Sequence, residues 1–252
     1  MLNKIIENKR KEIEMSKKKL PLHRFKDSLK NSERDFKKAL LKKKLGLIAE
    51  IKRKSPSQRN FNMQFDIKKI IAAYSKYADA ISVLTDSKFF GGSLLDLMDA
   101  SRLTRLPVLR KDFIIDEYQI YESRLYNADA VLLIASELST DELNNLIDIA
   151  NSYKMDCLVE VHKEEELSKA LDSNADIIGI NNRNLDTLEI DAETTLRLVD
   201  KIPKGKIIVS ESGISSNDYI KKIEGKVNAI LVGSFFMNSK SLEKSIISLV
   251  KL

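Results

Sequence analysis

"LGLIAEIKRKSPSQRNF", residues 45–61, opens like a buried strand, with Leu47, Ile48, Ala49 and Ile51 in near-continuous apolar order, yet Glu50 and Lys52 are lodged inside it. Residues two apart share one face of a strand, so the two charges point the same way. They are either a structural ion pair within a barrel or functional groups at a strand end, and their spacing alone allows both. The chain downstream identifies the kind of sheet. Short β-branched runs recur as "LIAEIK" (47–52), "AISVLT" (80–85), "PVLRKD" (107–112), "DAVLLIA" (129–135), "DCLVEVH" (156–162), "DIIGIN" (176–181), "KIIVSE" (206–211) and "NAILVG" (228–233). Amphipathic stretches separate them. Eight strand–helix units in series predict a (β/α)8 TIM barrel, an α/β fold with a parallel sheet inside and helices outside. A doubly wound open sheet fits less well, because no G-x-G-x-x-G follows the first strand.

The helical stretches carry the stripe such a fold needs: Leu94, Leu97, Met98 and Ser101 in one, Leu143, Leu146, Ile147 and Ala150 in another. Before Leu45, "LNKIIENKRKEIEMSKKK" and "ERDFKKALLKKK" read as two further helices interrupted at Pro21, packed on one end of the barrel. The expected organisation is one barrel domain over 1–252, of which 1–44 is an N-terminal helical extension.

Charged residues make up 32% of the chain, and no run approaches the roughly 20 apolar residues of a membrane span. The N-terminus lacks the apolar core and cleavage site of a secretory signal, so a cytoplasmic location is the default expectation. The net charge of +6 is unevenly placed. Residues 1–44 hold 16 Lys+Arg against 6 Asp+Glu, and residues 45–252 hold 27 against 31. The basic runs Lys17–Lys19 and Lys42–Lys44 have no interleaved aromatics, so a solvated helix surface is preferred over nucleic-acid binding. Cys157, the only cysteine, excludes an intramolecular disulfide and a Cys-based metal cluster and reads as a small core hydrophobe. With no His-rich or Asp-rich ligand spacing, no metal site is expected.

In a (β/α)8 barrel the chemistry sits at the C-terminal ends of the strands. This chain places polar residues there repeatedly: Glu50 and Lys52, Lys111 and Asp112, Glu160, Asn181 and Arg183, and Glu211. Lys111 and Glu160, on non-adjacent strands, suit a general acid and base held apart across the mouth. Asp112 suits a loop tether, and His162 the start of the next helix. "SESGIS" (210–215) and "LVGSFF" (231–236) put a Gly in each of the two loops that commonly cradle phosphate in this fold.

These residues carry a resemblance. "IAEIKRKSPS", "ISVLTDSKFFGGSLLDL", "PVLRKDFIIDEYQIYESRLYNADAVLLIA", "LVEVH", "IGINNRNLDTLEID", "VSESGI" and "ILVGSFFM" together resemble the indole-3-glycerol phosphate synthase family, in order and over residues 1–252. The resemblance implies a cofactor-free ring closure of 1-(2-carboxyphenylamino)-1-deoxyribulose 5-phosphate, with loss of carbon dioxide and water. It implies Lys111 as general acid, Glu160 as catalytic carboxylate, and Glu50 and Lys52 in substrate binding or dehydration. Asn181 and Glu211 would lie close to the reacting centre, with Arg183 and Ser212 as further polar contacts. Ser55, Gly213, Gly233 and Ser234 would contact phosphate, and Phe90, Phe113, Leu132, Leu185 and Leu231 would wall the anthranilate ring. The implied partner is a small anionic sugar phosphate, with no nucleic acid, membrane or obligate protein partner. Two departures stand out: Gln58 and Arg59 replace the family's basic residue and Gly after "SPS", and Asp86 replaces the usual Glu after "SVLT", a change that looks minor. The remaining alternatives are another phosphate-binding barrel enzyme, such as a phosphoribosylanthranilate isomerase, and a nucleic-acid binder acting through the basic extension. The isomerase would want a Cys and an Asp at strand ends.

Overall fold

The structure, a computed structural model, describes residues 1–56, 61 and 65–250. Gln58 and Arg59 fall outside these. The chain begins with α1 (Leu2–Lys19) and α2 (Phe36–Leu40), then alternates β1 (Gly46–Ile51), α3 (Ile67–Tyr77) and β2 (Ala80–Leu84). It continues through α4 (Ser87–Phe90), α5 (Leu94–Leu103), β3 (Val108–Lys111), α6 (Glu117–Leu125), β4 (Ala130–Ile134), α7 (Thr140–Ser152) and β5 (Asp156–Val161). The last part comprises α8 (Glu164–Leu171), β6 (Ile177–Asn181), α9 (Glu193–Leu198), β7 (Ile207–Glu211), α10 (Asn217–Ile223), β8 (Ala229–Val232), α11 (Ser234–Met237) and α12 (Leu242–Val250). The eight strands are parallel and close in sequence order, β8 pairing back onto β1. The expected (β/α)8 barrel is thus formed, and each strand lies within a residue or two of its expected span.

The period of two divides the strands between two cores. Leu47, Ala49 and Ile51 of β1, with Val159, Ile178 and Ile230 of other strands, face outward into the apolar layer under the helices. Ile48, Leu109, Leu158, Val209 and Leu231 face inward and fill the barrel. Several helices start on a side chain that accepts a free backbone N–H: Asp66 for α3, Ser93 for α5, Asp116 for α6 and Ser216 for α10. Ser139 and Glu142 form a reciprocal capping box on α7, whose buried face is Leu143, Leu146, Ile147 and Ala150.

The N-terminal segment covers both ends of the barrel, not one. Leu2 and Ile5 of α1 face the cavity at the C-terminal mouth, and Lys9 pairs with Asp86 (3.1 Å) and Asp112 (2.9 Å) beyond β2 and β3. The chain then runs down the side, where Phe25 packs edge-on against Tyr118 of α6. Beneath the barrel, Phe36 and Leu40 are fully buried in the cluster that holds Ala80, Ala130 and Ala229. Small residues at these strand starts leave room that the two larger side chains occupy. The second extension helix covers only Phe36–Leu40 of the expected stretch, and the chain then turns into β1, where a Cβ on Gly46 would stand 2.7 Å from the Leu40 carbonyl oxygen.

Candidate active site

All seventeen site residues expected from sequence line one cavity of about 650 Å³ at the mouth of the barrel. At its floor Lys111 Nζ donates to Glu211 Oε2 (2.7 Å) and Glu160 Oε2 (3.1 Å). Asn181 Nδ2 donates to the other Glu160 oxygen at 2.9 Å, and Asn181 Oδ1 accepts from the Arg183 backbone N–H. Lys111 and Glu160 are therefore in contact rather than held apart, because both side chains lean into the same interior. Nearby, Glu50 and Lys52 form a second pair at 2.7 Å. Both readings of the opening stretch meet here: the charges are ion-paired, and they also line the cavity.

Two inward glycines make room for these carboxylates. A Cβ on Gly179 would stand 2.2 Å from Glu211 Oε1, and one on Gly233 would stand 2.2 Å from Glu50 Oε1. Gly179 lies in the middle of β6, where a missing side chain marks a close approach. That signal was present in "DIIGIN", and sequence reasoning gave it no role.

The charge balance is uneven, with three buried carboxylates sharing two ammonium groups. Burial is the strongest influence on Lys111 and opposes its charge, but Glu160, Glu211 and Glu50 outweigh it and hold the lysine pKa well above its ordinary value. Burial pushes the Glu211 carboxyl up to about 7, with Lys111 pulling down and Glu160 and Glu50 pushing up. Glu211 Oε1 is buried without a hydrogen-bond partner among the described residues.

One wall is apolar. Phe90 and Phe113 lie 6.0 Å apart at 36°, joined by Leu132, Leu185 and Leu231 in a cluster that also holds Leu2 and Ile5. The two α1 residues were missed by sequence reasoning, although their spacing with Ile6 showed that the first turn has a buried face. Asp86 also has more weight than its sequence context suggested. It is fully buried, pairs with Lys9, and accepts from the N–H groups of Phe89 and Phe90, which caps α4, the helix that carries Phe90. Asp112 is a tether as expected, bound to Lys9, Arg110, Thr85 and its neighbour's N–H. His162 precedes α8, and its Nδ1 sits 2.7 Å from the Asn181 carbonyl, behind the site.

Ser212, Gly213, Gly233 and Ser234 also line the cavity, as do Ser55 and Arg183. Ser212 and Gly213 have φ of 65° and 74°, two successive left-handed residues. Ser234 opens α11 directly after β8. Cys157 faces the helix layer, away from the cavity, and burial raises its thiol pKa. Among the described residues no group of His, Cys, Asp and Glu has the arrangement of a metal site, and no helix is long and apolar enough to cross a membrane.

The family model of indole-3-glycerol phosphate synthase matches residues 2–249. An indole-3-glycerol phosphate synthase of Caldanaerobacter subterraneus subsp. tengcongensis is 46% identical over 239 residues, covering 94% of this chain and 93% of that protein. A tryptophan biosynthesis protein TrpCF of Buchnera aphidicola is 45% identical over 249 residues, which span 99% of this chain and 55% of that one. Among solved structures, a KGPDC from Streptococcus mutans shares the fold, with a TM-score of 0.65 at 16% identity over 82% of this chain and 96% of that one. With a family model spanning nearly its whole length and a relative this similar, the chain belongs to the indole-3-glycerol phosphate synthase family.

Proposed function

We propose that this protein, as one cytoplasmic barrel domain, closes the pyrrole ring of 1-(2-carboxyphenylamino)-1-deoxyribulose 5-phosphate to give indole-3-glycerol phosphate. The observation that carries the proposal is the Lys111 ammonium on the cavity floor, bound to Glu160 and Glu211 beside an apolar slot. The anthranilate ring lies between Phe90, Phe113 and the leucines, and the phosphate lies at the loops after β7 and β8. Lys52 and Arg183 offset the negative charge of the substrate.

The anilino ring carbon attacks the ketone, a carbon–carbon bond forms, and the carbonyl oxygen takes a proton from Lys111. A lysine held this firmly in its charged form is a hydrogen-bond donor that stabilises the growing oxyanion before transfer. Loss of carbon dioxide from the substituted ring carbon restores aromaticity. The hydroxyl then leaves with a proton as water, a step that needs one acid and one base from Glu160, Glu50 and Lys52. Asn181 orients Glu160. The isomerase alternative finds no support in Cys157, which faces away from the mouth. The test is incubation of the purified protein with the substrate: growth of indole fluorescence with one carbon dioxide per product is expected, and no product would refute the proposal.

A further inference from the structure

Asn182 stands between Asn181 and Arg183, two residues of the cavity wall, yet it is fully buried and does not line the cavity. Its amide reaches behind the loops. Oδ1 accepts from the Thr195 backbone N–H at 3.0 Å and from the Thr195 hydroxyl at 2.9 Å. Nδ2 donates to the Ser212 carbonyl at 3.0 Å and to the Tyr219 hydroxyl at 3.1 Å. The amide orientation is forced, because the Thr195 N–H can only donate and the Ser212 carbonyl can only accept. The Tyr219 hydroxyl passes its own proton to the Ala192 carbonyl at 2.9 Å, so it is free to accept from Asn182.

Ser212 is a non-glycine residue at φ 65°, a conformation that persists only where its surroundings impose it. The one side-chain donor on its carbonyl among the hydrogen bonds described is Asn182. We propose that Asn182 is a positioning residue, which grips the Ser212 carbonyl from behind and holds the Ser212–Gly213 turn in the left-handed form that presents this loop to the substrate phosphate. The proposal rests on the reading above that places phosphate at the loops after β7 and β8. Asn181 and Glu211, the chain neighbours of Asn182 and Ser212, are held by their own bonds to Glu160 and Lys111, so a loosened turn weakens binding more than chemistry.

Asn182→Asp keeps the size and the acceptor but turns an oxygen toward the Ser212 carbonyl. It is expected to raise KM and the inhibition constant of inorganic phosphate about tenfold, the scale of one lost buried hydrogen bond, with kcat changed by less than about threefold. Tyr219→Phe removes the second anchor of the amide and is expected to shift both constants the same way by about threefold. Glycine adopts positive φ freely, so the cost of Asn182→Asp is expected to shrink in a Ser212→Gly background. A merely structural role would leave the two effects additive and lower stability without raising both constants. Unchanged KM and phosphate inhibition in Tyr219→Phe would overturn the assignment even if Asn182→Asp fails to fold. If the unsubstituted protein turns over no substrate, the functional reading fails; if it does and the variants match it, only the role of Asn182 fails.

Discussion

The two ends of this barrel are covered by parts of one N-terminal segment and are both rich in charge, yet they differ in how that charge is satisfied. Beneath the barrel, carboxylates just ahead of the strands meet backbone donors and cations. Asp79 accepts from the Leu47 N–H and pairs with Lys43; Asp129 accepts from the Val108 N–H and pairs with Arg34 and Arg124. At the mouth, Glu50, Glu160 and Glu211 share two lysines, and one Glu211 oxygen stays unpartnered among the described residues. Polar saturation marks the end that holds the fold. Incomplete saturation in a cavity is what the proposed proton exchange with a substrate requires.

Substitutions can break that contrast. Phe36→Ala below and Lys9→Met above are each expected to cost about 3–5 kcal/mol of stability in chemical unfolding, the first by opening a cavity and the second by stranding the buried Asp86, whose cation is Lys9. Their kinetics should differ. Phe36→Ala should leave KM unchanged per folded molecule, whereas Lys9→Met should raise it, because α1 carries Leu2 and Ile5 into the cavity proposed to take the substrate.

A smaller effect concerns Glu211. Its folded pKa of about 7 lies above its ordinary 4.5, so the folded state holds a proton that the unfolded chain has released, and its contribution to stability falls as pH rises between those values. Glu211→Gln removes this dependence. Relative to the parent it should gain about 2 kcal/mol between pH 5 and pH 8, measured by denaturant unfolding at both. A flat difference would mean that Glu211 is ionised throughout. Smallest of all, Lys37→Ala breaks the exposed pair with Asp176 and should change stability by about 0.5 kcal/mol or less, with turnover untouched.

The barrel and most of the cavity were legible because they obey a period of two. Glu50, Lys111, Glu160 and Glu211 stand out as charges at inward positions of otherwise apolar runs. Less legible was whatever depends on distant parts of the chain meeting. Nothing local shows that Ile5 reaches the slot beside Phe113, that Asp86 receives Lys9, or that Phe36 and Leu40 close the far end. The contact between Lys111 and Glu160 was also hidden, because strand order gives sides of the mouth but not side-chain reach. Gly179 illustrates an intermediate case: its position was visible, but the carboxylate that needs the space comes from the neighbouring strand.

The division of labour between the two ends is tested most directly by turnover of Lys111→Ala beside its circular dichroism. A turnover reduced by about 10² or more with a native spectrum is expected, as for loss of a positioned acid. Turnover close to that of the parent in the same folded protein would contradict the assignment of the chemistry to the mouth lysine.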